Sequence, residues 1–289
     1  MKEPVFFGAA TAIVTPFCEQ KLDLPAFERL MLRQLQAGIQ AIVVTGTTGE
    51  ASTLTQEEKE TLWRCAVETA GGKATVIAGV GTNSTAQSAA LAQAAERCGV
   101  DALLAVTPYY NKATQEGLYR HYVTVADAVS LPLITYNVPS RTGVELQPET
   151  CQRLSVHKNI AGIKEASGNL TKLAHIRRLC GDSFPVWCGN DDQITASMAL
   201  GACGAISVLS NLRPALVKKL CDYALKGEFR QSAEMQLAAL PLIDALFSEV
   251  NPIPIKAAMA AEGLCRDELR LPLTPMSSEK RAALCTLLN

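Results

Sequence analysis

Lys164 closes an apolar stretch, Asn159-Ile160-Ala161-Gly162-Ile163, and Glu165-Ala166-Ser167-Gly168 follow it. Burying an unpaired ammonium is expensive. A buried lysine can shed its proton, and the neutral amine condenses with carbonyls. Taken alone, a strand-end lysine is more often one that snorkels to solvent or pairs with a neighbour such as Glu165. The chemistry therefore depends on what else converges on it.

A carbinolamine and then an imine form only if protons move, and a positioned phenol can shuttle them. Tyr136 ends the run Leu131-Pro-Leu-Ile-Thr-Tyr136, and Tyr109-Tyr110 follow Thr107-Pro108. The turn Gly46-Thr47-Thr48-Gly49 offers backbone N–H groups and two hydroxyls, a cradle for a carboxylate. Arg141, in Pro139-Ser-Arg-Thr-Gly143, can hold a second carboxylate in a bidentate fork. The set suits a 2-keto acid. Each member also has a plainer reading. Gly46-x-x-Gly49 is a common turn, and Thr47 and Thr48 can cap a helix. Tyr109-Tyr110 can be an interface packing pair and Tyr136 a core tyrosine. Arg141 can be a solvated loop residue. Asn190-Asp191 reads as a helix N-cap, and Glu165 as a structural capping or pairing group.

The elements that place these residues alternate with a steady beat. Strand-like runs lie at 7–14, 40–45, 74–80, 101–106, 131–136, 160–164, 184–188 and 203–208. Helical patterns follow them at 25–37, 56–69, 83–97, 115–129, 147–154, 170–180, 193–200 and from Pro214. The strands are short and apolar without clean alternation, as strands covered on both faces should be. Eight such units point to an α/β fold, a closed (β/α)8 TIM barrel, with its site at the carboxyl ends of the strands. Thr47-Thr48-Gly49-Glu50, Tyr109-Tyr110, Tyr136, Arg141, Lys164, Gly189-Asn190-Asp191 and Ile206-Ser207 all fall there. That shared rim favours a functional Lys164 more than any single motif does. After residue 226 the strands stop. Helical patterns at 228–247, 252–262 and 277–287 divide the chain into a catalytic barrel, 1–226, and a C-terminal helical domain, 227–289.

The totals exclude other classes. The chain has 289 residues and a formal charge of −1, so it carries no basic field for nucleic acid. No apolar run reaches the roughly 18 residues of a membrane span. The apolar segment from Pro4 to Pro16 follows Lys2-Glu3, is short for a signal peptide, and reads as the first strand. The ten cysteines are scattered with no Cys-x-x-Cys. They are expected as free thiols in a reducing, cytoplasmic setting, with neither disulfide framework nor zinc site. His121, His157 and His175 form no ligand-spaced pair.

Gly46-Thr-Thr-Gly-Glu50, Thr107-Pro-Tyr-Tyr-Asn111, Tyr136-Asn-Val-Pro-Ser-Arg-Thr-Gly143 and Gly162-Ile-Lys-Glu-Ala-Ser167 together resemble the signatures of the dihydrodipicolinate synthase family, over essentially the whole chain. The resemblance implies a pyruvate-dependent class I lyase of lysine and diaminopimelate synthesis. Pyruvate forms a Schiff base with the lysine matching Lys164, and its enamine attacks L-aspartate 4-semialdehyde. The family's proton relay maps to Tyr136, Thr47 and Tyr110, with Tyr110 supplied by the neighbouring subunit of a tight dimer. Arg141 matches the residue that holds the semialdehyde carboxylate, and Thr48 a pyruvate-carboxylate contact. Gly189 and Ile206 match residues lining the pyruvate pocket. The resemblance further implies a homotetramer, a dimer of dimers, and no metal or organic cofactor.

Lysine and fold alone would also fit N-acetylneuraminate lyase, a 2-keto-3-deoxy-sugar-acid aldolase, or a barrel that has lost catalysis and serves as a binding protein. Ser140-Arg141-Thr142 and the Tyr109-Tyr110 pair favour the synthase, and the retained Lys164, Tyr136, Thr47 and Tyr110 disfavour an inactive barrel. Relatives inhibited by lysine carry a lysine pocket at the dimer interface. Its histidine and glutamate positions fall here at Lys59 and Gln87, and another histidine position at Gln56, while Asn83 and Tyr109 match. A cation at 59 and a lost carboxylate at 87 both disfavour a cationic ligand.

Overall fold

The eight apolar runs pair in parallel and close on themselves. In a computed structural model that describes residues 2–288, the strands are β1 (Gly8–Ala12), β2 (Ala41–Val44), β3 (Thr75–Gly79) and β4 (Ala102–Val106). They continue as β5 (Leu133–Asn137), β6 (Ile160–Glu165), β7 (Val186–Cys188) and β8 (Gly204–Ser207). Each pairs with its sequence neighbours, and β1 joins β8 to β2. This is the TIM barrel expected from the sequence. The first and last residues of the expected two-part division, Met1 and Asn289, lie outside the described residues.

Period-two geometry sorts the side chains. Ala10, Val43, Ile77, Ile134, Trp187 and Ile206 fill the lumen. Ala9, Ile42, Leu103, Leu133 and Ile163 face the surrounding helices. The lumen is closed at its base by Phe6 stacked on Trp187, with ring centroids 5.2 Å apart, and Trp187 Nε1 donates to the Phe6 carbonyl at 3.1 Å. The helices start as their sequences direct. Thr55 accepts from Glu58 N–H at 3.2 Å, and the Glu58 carboxylate accepts from Thr55 N–H at 3.0 Å. This capping box satisfies two donors that a helix start leaves open.

β6 contains the irregularity that matters most. Leu133 pairs with Ile160, but Ile134 pairs with Gly162, so β6 carries one extra residue. Gly162 has φ 154°, and a Cβ there would lie 2.2 Å from the Pro185 carbonyl oxygen. Only glycine fits such an approach. A one-residue slip flips every later side chain to the opposite face. With the bulge, Ile163 faces the helices and Lys164 faces the lumen.

Several boundaries differ from the sequence expectation for identifiable reasons. β5 starts at Leu133 and β7 at Val186, because Pro132 and Pro185 have no N–H to give a ladder. A short helix, Pro139–Thr142, and a two-stranded ribbon of Phe17–Cys18 with Lys21–Leu22 were not anticipated. Asp191 is not the helix cap expected of it. Its Oδ2 accepts from the N–H groups of Val208 and Leu209, at 3.0 and 2.8 Å, and ties the end of β7 to the end of β8.

The helices Phe229–Leu246, Ile253–Ala261 and Ser278–Cys285 follow the barrel. Ile255 and Met259 are fully buried in the same apolar cluster as the outward faces of the strands. The tail also reaches the carboxyl-end loops through buried polar contacts described below. No helix among the described residues is long and apolar enough to cross a membrane.

Candidate active site

Lys164, the penultimate residue of β6, lies inside the lumen and is 5% exposed. It is in register with Tyr136 of β5, and its Nζ lies 4.3 Å from the centre of the Tyr136 ring. Two other buried lysines, Lys172 and Lys256, each pair with a carboxylate. Lys164 forms no ion pair among the described residues. Glu165, the partner that a plainer reading offered, points the other way. Its carboxylate accepts from Asn137 Nδ2 at 3.0 Å and Ser167 N–H at 2.7 Å. Burial pushes the Glu165 carboxyl up despite those bonds. It braces the ends of β5 and β6, as its structural reading held.

Gly189, after β7, packs against the lysine. A Cβ at this position would sit 2.9 Å from Lys164 Cε and 2.6 Å from Ala166 Cβ, so only glycine leaves the amine its place. Ile206 of β8 lies in the lumen, 1% exposed. Asp191 is nearby and buried. Desolvation pushes its carboxyl up, while the nearby Ser207 hydroxyl, the Leu209 and Val208 N–H groups and the Lys164 charge act against that. Its Oδ1 has no partner among the described residues.

The Gly46–Gly49 turn stands between two left-handed residues, Thr45 at φ 55° and Glu50 at φ 53°. This conformation is strained for a β-branched residue and costs on the order of 1–3 kcal/mol. Each is held by buried partners. Thr45 Oγ1 accepts from Trp63 Nε1 at 2.8 Å. Glu50 pairs with Lys256, and its second oxygen accepts from Arg270 N–H at 3.1 Å. Lys256 also donates to the Glu268 carbonyl at 2.8 Å. Inside the turn, the N–H groups of Gly49, Glu50 and Ala51 bond back to the carbonyls of Gly46 and Thr47. Those of Thr47 and Thr48 have no protein acceptor among the described residues, which leaves two donors for a carboxylate.

Thr47, Tyr136 and Arg141 line one cavity of about 430 Å³ at the carboxyl ends of the strands. That is room for small acids. Arg141 stands exposed at the mouth on the Pro139–Thr142 turn, and its Nη2 donates to the Asn251 carbonyl at 3.1 Å. Thr142 holds that turn by donating to the Val144 carbonyl at 2.8 Å and accepting from Thr107 Oγ1 at 3.2 Å. Thr48 is 2% exposed and accepts from Asn251 Nδ2 at 2.9 Å.

Lys59, Gln87 and Tyr109 line the outer part of the same cavity. Asn83 does not, and its carbonyl accepts from Asn111 Nδ2 at 3.0 Å. Burial lowers the Lys59 ammonium from its ordinary range. Tyr110 is not brought to this cavity. It is 88% exposed with φ 75°, so its ring projects away from the protomer. Sequence reasoning missed Gly162, Thr45, Asn251 and the Glu50–Lys256 pair. The first had a visible signal, a glycine inside a strand pattern.

A (β/α)8 barrel with a buried lysine that forms no ion pair among the described residues, a tyrosine ring against it and hydrogen-bond donors free at the same end of the barrel fits an imine-forming keto-acid site. The comparisons with known proteins narrow this to one family. The dihydrodipicolinate synthetase family profile matches residues 5–289. The 4-hydroxy-tetrahydrodipicolinate synthase of Alkaliphilus oremlandii is 49% identical over 280 residues, 97% of this chain and 97% of its own. The crystal structure of dihydrodipicolinate synthase from Aquifex aeolicus superposes with a TM-score of 0.96 at 44% identity, over 98% of this chain and 97% of that one. The Acinetobacter baumannii dihydrodipicolinate synthase, solved in complex with pyruvate, is 41% identical with a TM-score of 0.96, covering 98% of both chains. The chain belongs to the dihydrodipicolinate synthase family.

Proposed function

We propose that this protein is a 4-hydroxy-tetrahydrodipicolinate synthase, a lyase of lysine and diaminopimelate biosynthesis that condenses pyruvate with L-aspartate 4-semialdehyde. The observation that carries this is Lys164, buried without an ion pair and in register with Tyr136 at the carboxyl end of the barrel. The Lys164 amine adds to the pyruvate keto carbon, and water leaves to give an iminium. Loss of a methyl proton gives the enamine, whose carbon attacks the aldehyde of the semialdehyde. The amine of the joined product then closes on the imine carbon and releases Lys164. Tyr136 and Thr47 carry protons between these steps. The Thr48 hydroxyl and the free turn N–H groups hold the pyruvate carboxylate, and Arg141 holds that of the semialdehyde. Gly189 and Ile206 shape the pyruvate pocket. The chemistry calls for no metal or organic cofactor.

In this reading the barrel, residues 1–226, holds the reacting groups and the helical tail from 227 braces them. Tyr110 completes the relay of a second copy in a tight dimer, and two dimers form the tetramer. Its exposure in the single chain supports that role. Sedimentation as a monomer at micromolar concentration would sink it. The ten cysteines are all free, which fits a cytoplasmic protein.

The test is trapping. Incubation with pyruvate and borohydride should leave a reduced adduct on the peptide containing Lys164, read by mass spectrometry. No adduct would remove the synthase and the sugar-acid aldolases alike. Consumption of aspartate semialdehyde by the trapped-competent enzyme separates the synthase from those aldolases.

Feedback by lysine is expected to be weak or absent. Lys59 places a cation where a cationic ligand would sit, and Gln87 supplies no carboxylate. Turnover should be unchanged in low-millimolar lysine, and inhibition there would refute the assignment.

A further inference from the structure

Asn251 enters the site from the tail and touches both carboxylate-binding groups. It is 5% exposed and lines the same cavity as Arg141 and Thr47. Its Nδ2 donates to Thr48 Oγ1 at 2.9 Å, and its main-chain carbonyl accepts from Arg141 Nη2 at 3.1 Å. Its Oδ1 is buried without a partner among the described residues. A hydroxyl has one proton and two lone pairs, whereas an amide NH2 only donates. Asn251 therefore uses the Thr48 oxygen as an acceptor. The Thr48 proton is not spent elsewhere, since Thr48 Oγ1 makes no other hydrogen bond among the described residues.

We infer that Asn251 is a positioning residue, which fixes the Thr48 hydroxyl as a donor toward the keto-acid carboxylate and anchors Arg141 for the carboxylate of the second substrate. The inference rests on the function proposed above. It makes the polarity of the site a property of the tail: because a tail amide donates to the Thr48 oxygen, the hydroxyl keeps its proton to give. The two arms are also separable. The Thr48 contact uses the Asn251 side chain, and the Arg141 contact uses its backbone, which a substitution leaves in place.

An isosteric carboxylate reverses the first arm. In Asn251→Asp the new group accepts the Thr48 proton, and the hydroxyl can no longer donate to pyruvate. The KM for pyruvate is expected to rise about tenfold or more, the loss of one hydrogen bond to a charged group. The kcat should fall by less than about threefold, and the KM for the semialdehyde should move by a similarly small factor. Adduct formation on Lys164 should persist at saturating pyruvate.

A double-mutant cycle covers the case in which the aspartate variant does not fold. Asn251→Ala should raise the pyruvate KM on its own and add nothing in a Thr48→Val background. An unchanged pyruvate KM in the aspartate variant, or additive effects in the cycle, would overturn the inference. If the unsubstituted enzyme forms no adduct, the functional reading falls and this inference with it. If it forms the adduct and Asn251→Asp binds pyruvate normally, this inference alone fails.

Discussion

Replacing Lys164 with alanine should abolish the borohydride-trapped pyruvate adduct and lower kcat/KM by about three orders of magnitude or more, on the scale of removing a covalent nucleophile. The replacement should fold. Lys164 makes no ion pair or hydrogen bond among the described residues, and Asp191, which feels its charge, keeps the Val208 and Leu209 N–H donors when the lysine is truncated. The companion variant is Lys164→Arg. Arginine keeps a positive charge beside Tyr136 but does not deprotonate in proteins, so it cannot form the imine. If the lysine served only as a charge that attracts keto acids, Lys164→Arg would retain much of the activity. Parallel loss in both variants, with unchanged circular dichroism, identifies the amine as nucleophile. Near-normal turnover in either one would refute the mechanism.

The second large effect lies outside the barrel. Lys256→Ala should destabilise the protein by about 3–5 kcal/mol, because it leaves the Glu50 carboxylate buried without its countercharge. Both side chains are fully buried. Desolvation lowers the Lys256 ammonium, and the Glu50 charge opposes that. Phe17 packs its ring 4.2 Å from the same Nζ, so the site cannot refill with water without moving apolar groups. Replacing both charges with neutral groups of similar shape, as in Glu50→Gln with Lys256→Met, should recover most of the lost stability. Urea midpoints at one protein concentration measure both. A loss under about 1 kcal/mol in Lys256→Ala would show that Glu50 does not depend on this partner. Activity should fall further than the folded fraction does, because Glu50 holds one end of the Thr47–Thr48 turn.

These two residues mark what was legible in the sequence. Lys164 was legible because strand periodicity and the eightfold beat place it on a rim, and Tyr136 ends the preceding strand. Hydrophobic pattern reports which elements exist and roughly where they stop. It does not report which side chain a buried polar group will meet. Glu50 and Lys256 are 206 residues apart in sequence, and Asn251 and Thr48 are 203 apart. Nothing local ties such pairs together. Asp191 failed as a sequence reading for the same reason. A carboxylate just before a helix resembles a cap, yet its Oδ2 accepts from the N–H groups just past the end of the neighbouring strand, brought there by the pairing of β7 with β8. Thr45 was hidden differently, since no residue type announces a left-handed threonine.

The extra residue in β6 gives the nucleophile a parity. An even-numbered step from Ile160 reaches Lys164, yet Ile160 faces the helices and Lys164 the lumen. Pairing the strand flat with Ala161 kept would rotate the amine into the helical layer, with every amino acid of the site still present. Insertions and deletions in this strand are therefore not graded changes. A one-residue change that leaves the bulge in place toggles the chain between two phases, and in only one of them does the lysine face the lumen, whereas deleting Ala161 together with the bulge would keep it there. A barrel with a flat sixth strand would have to carry the same amine one position away to do the same chemistry, so an alignment of such barrels has to be made by lumen phase and not by residue count.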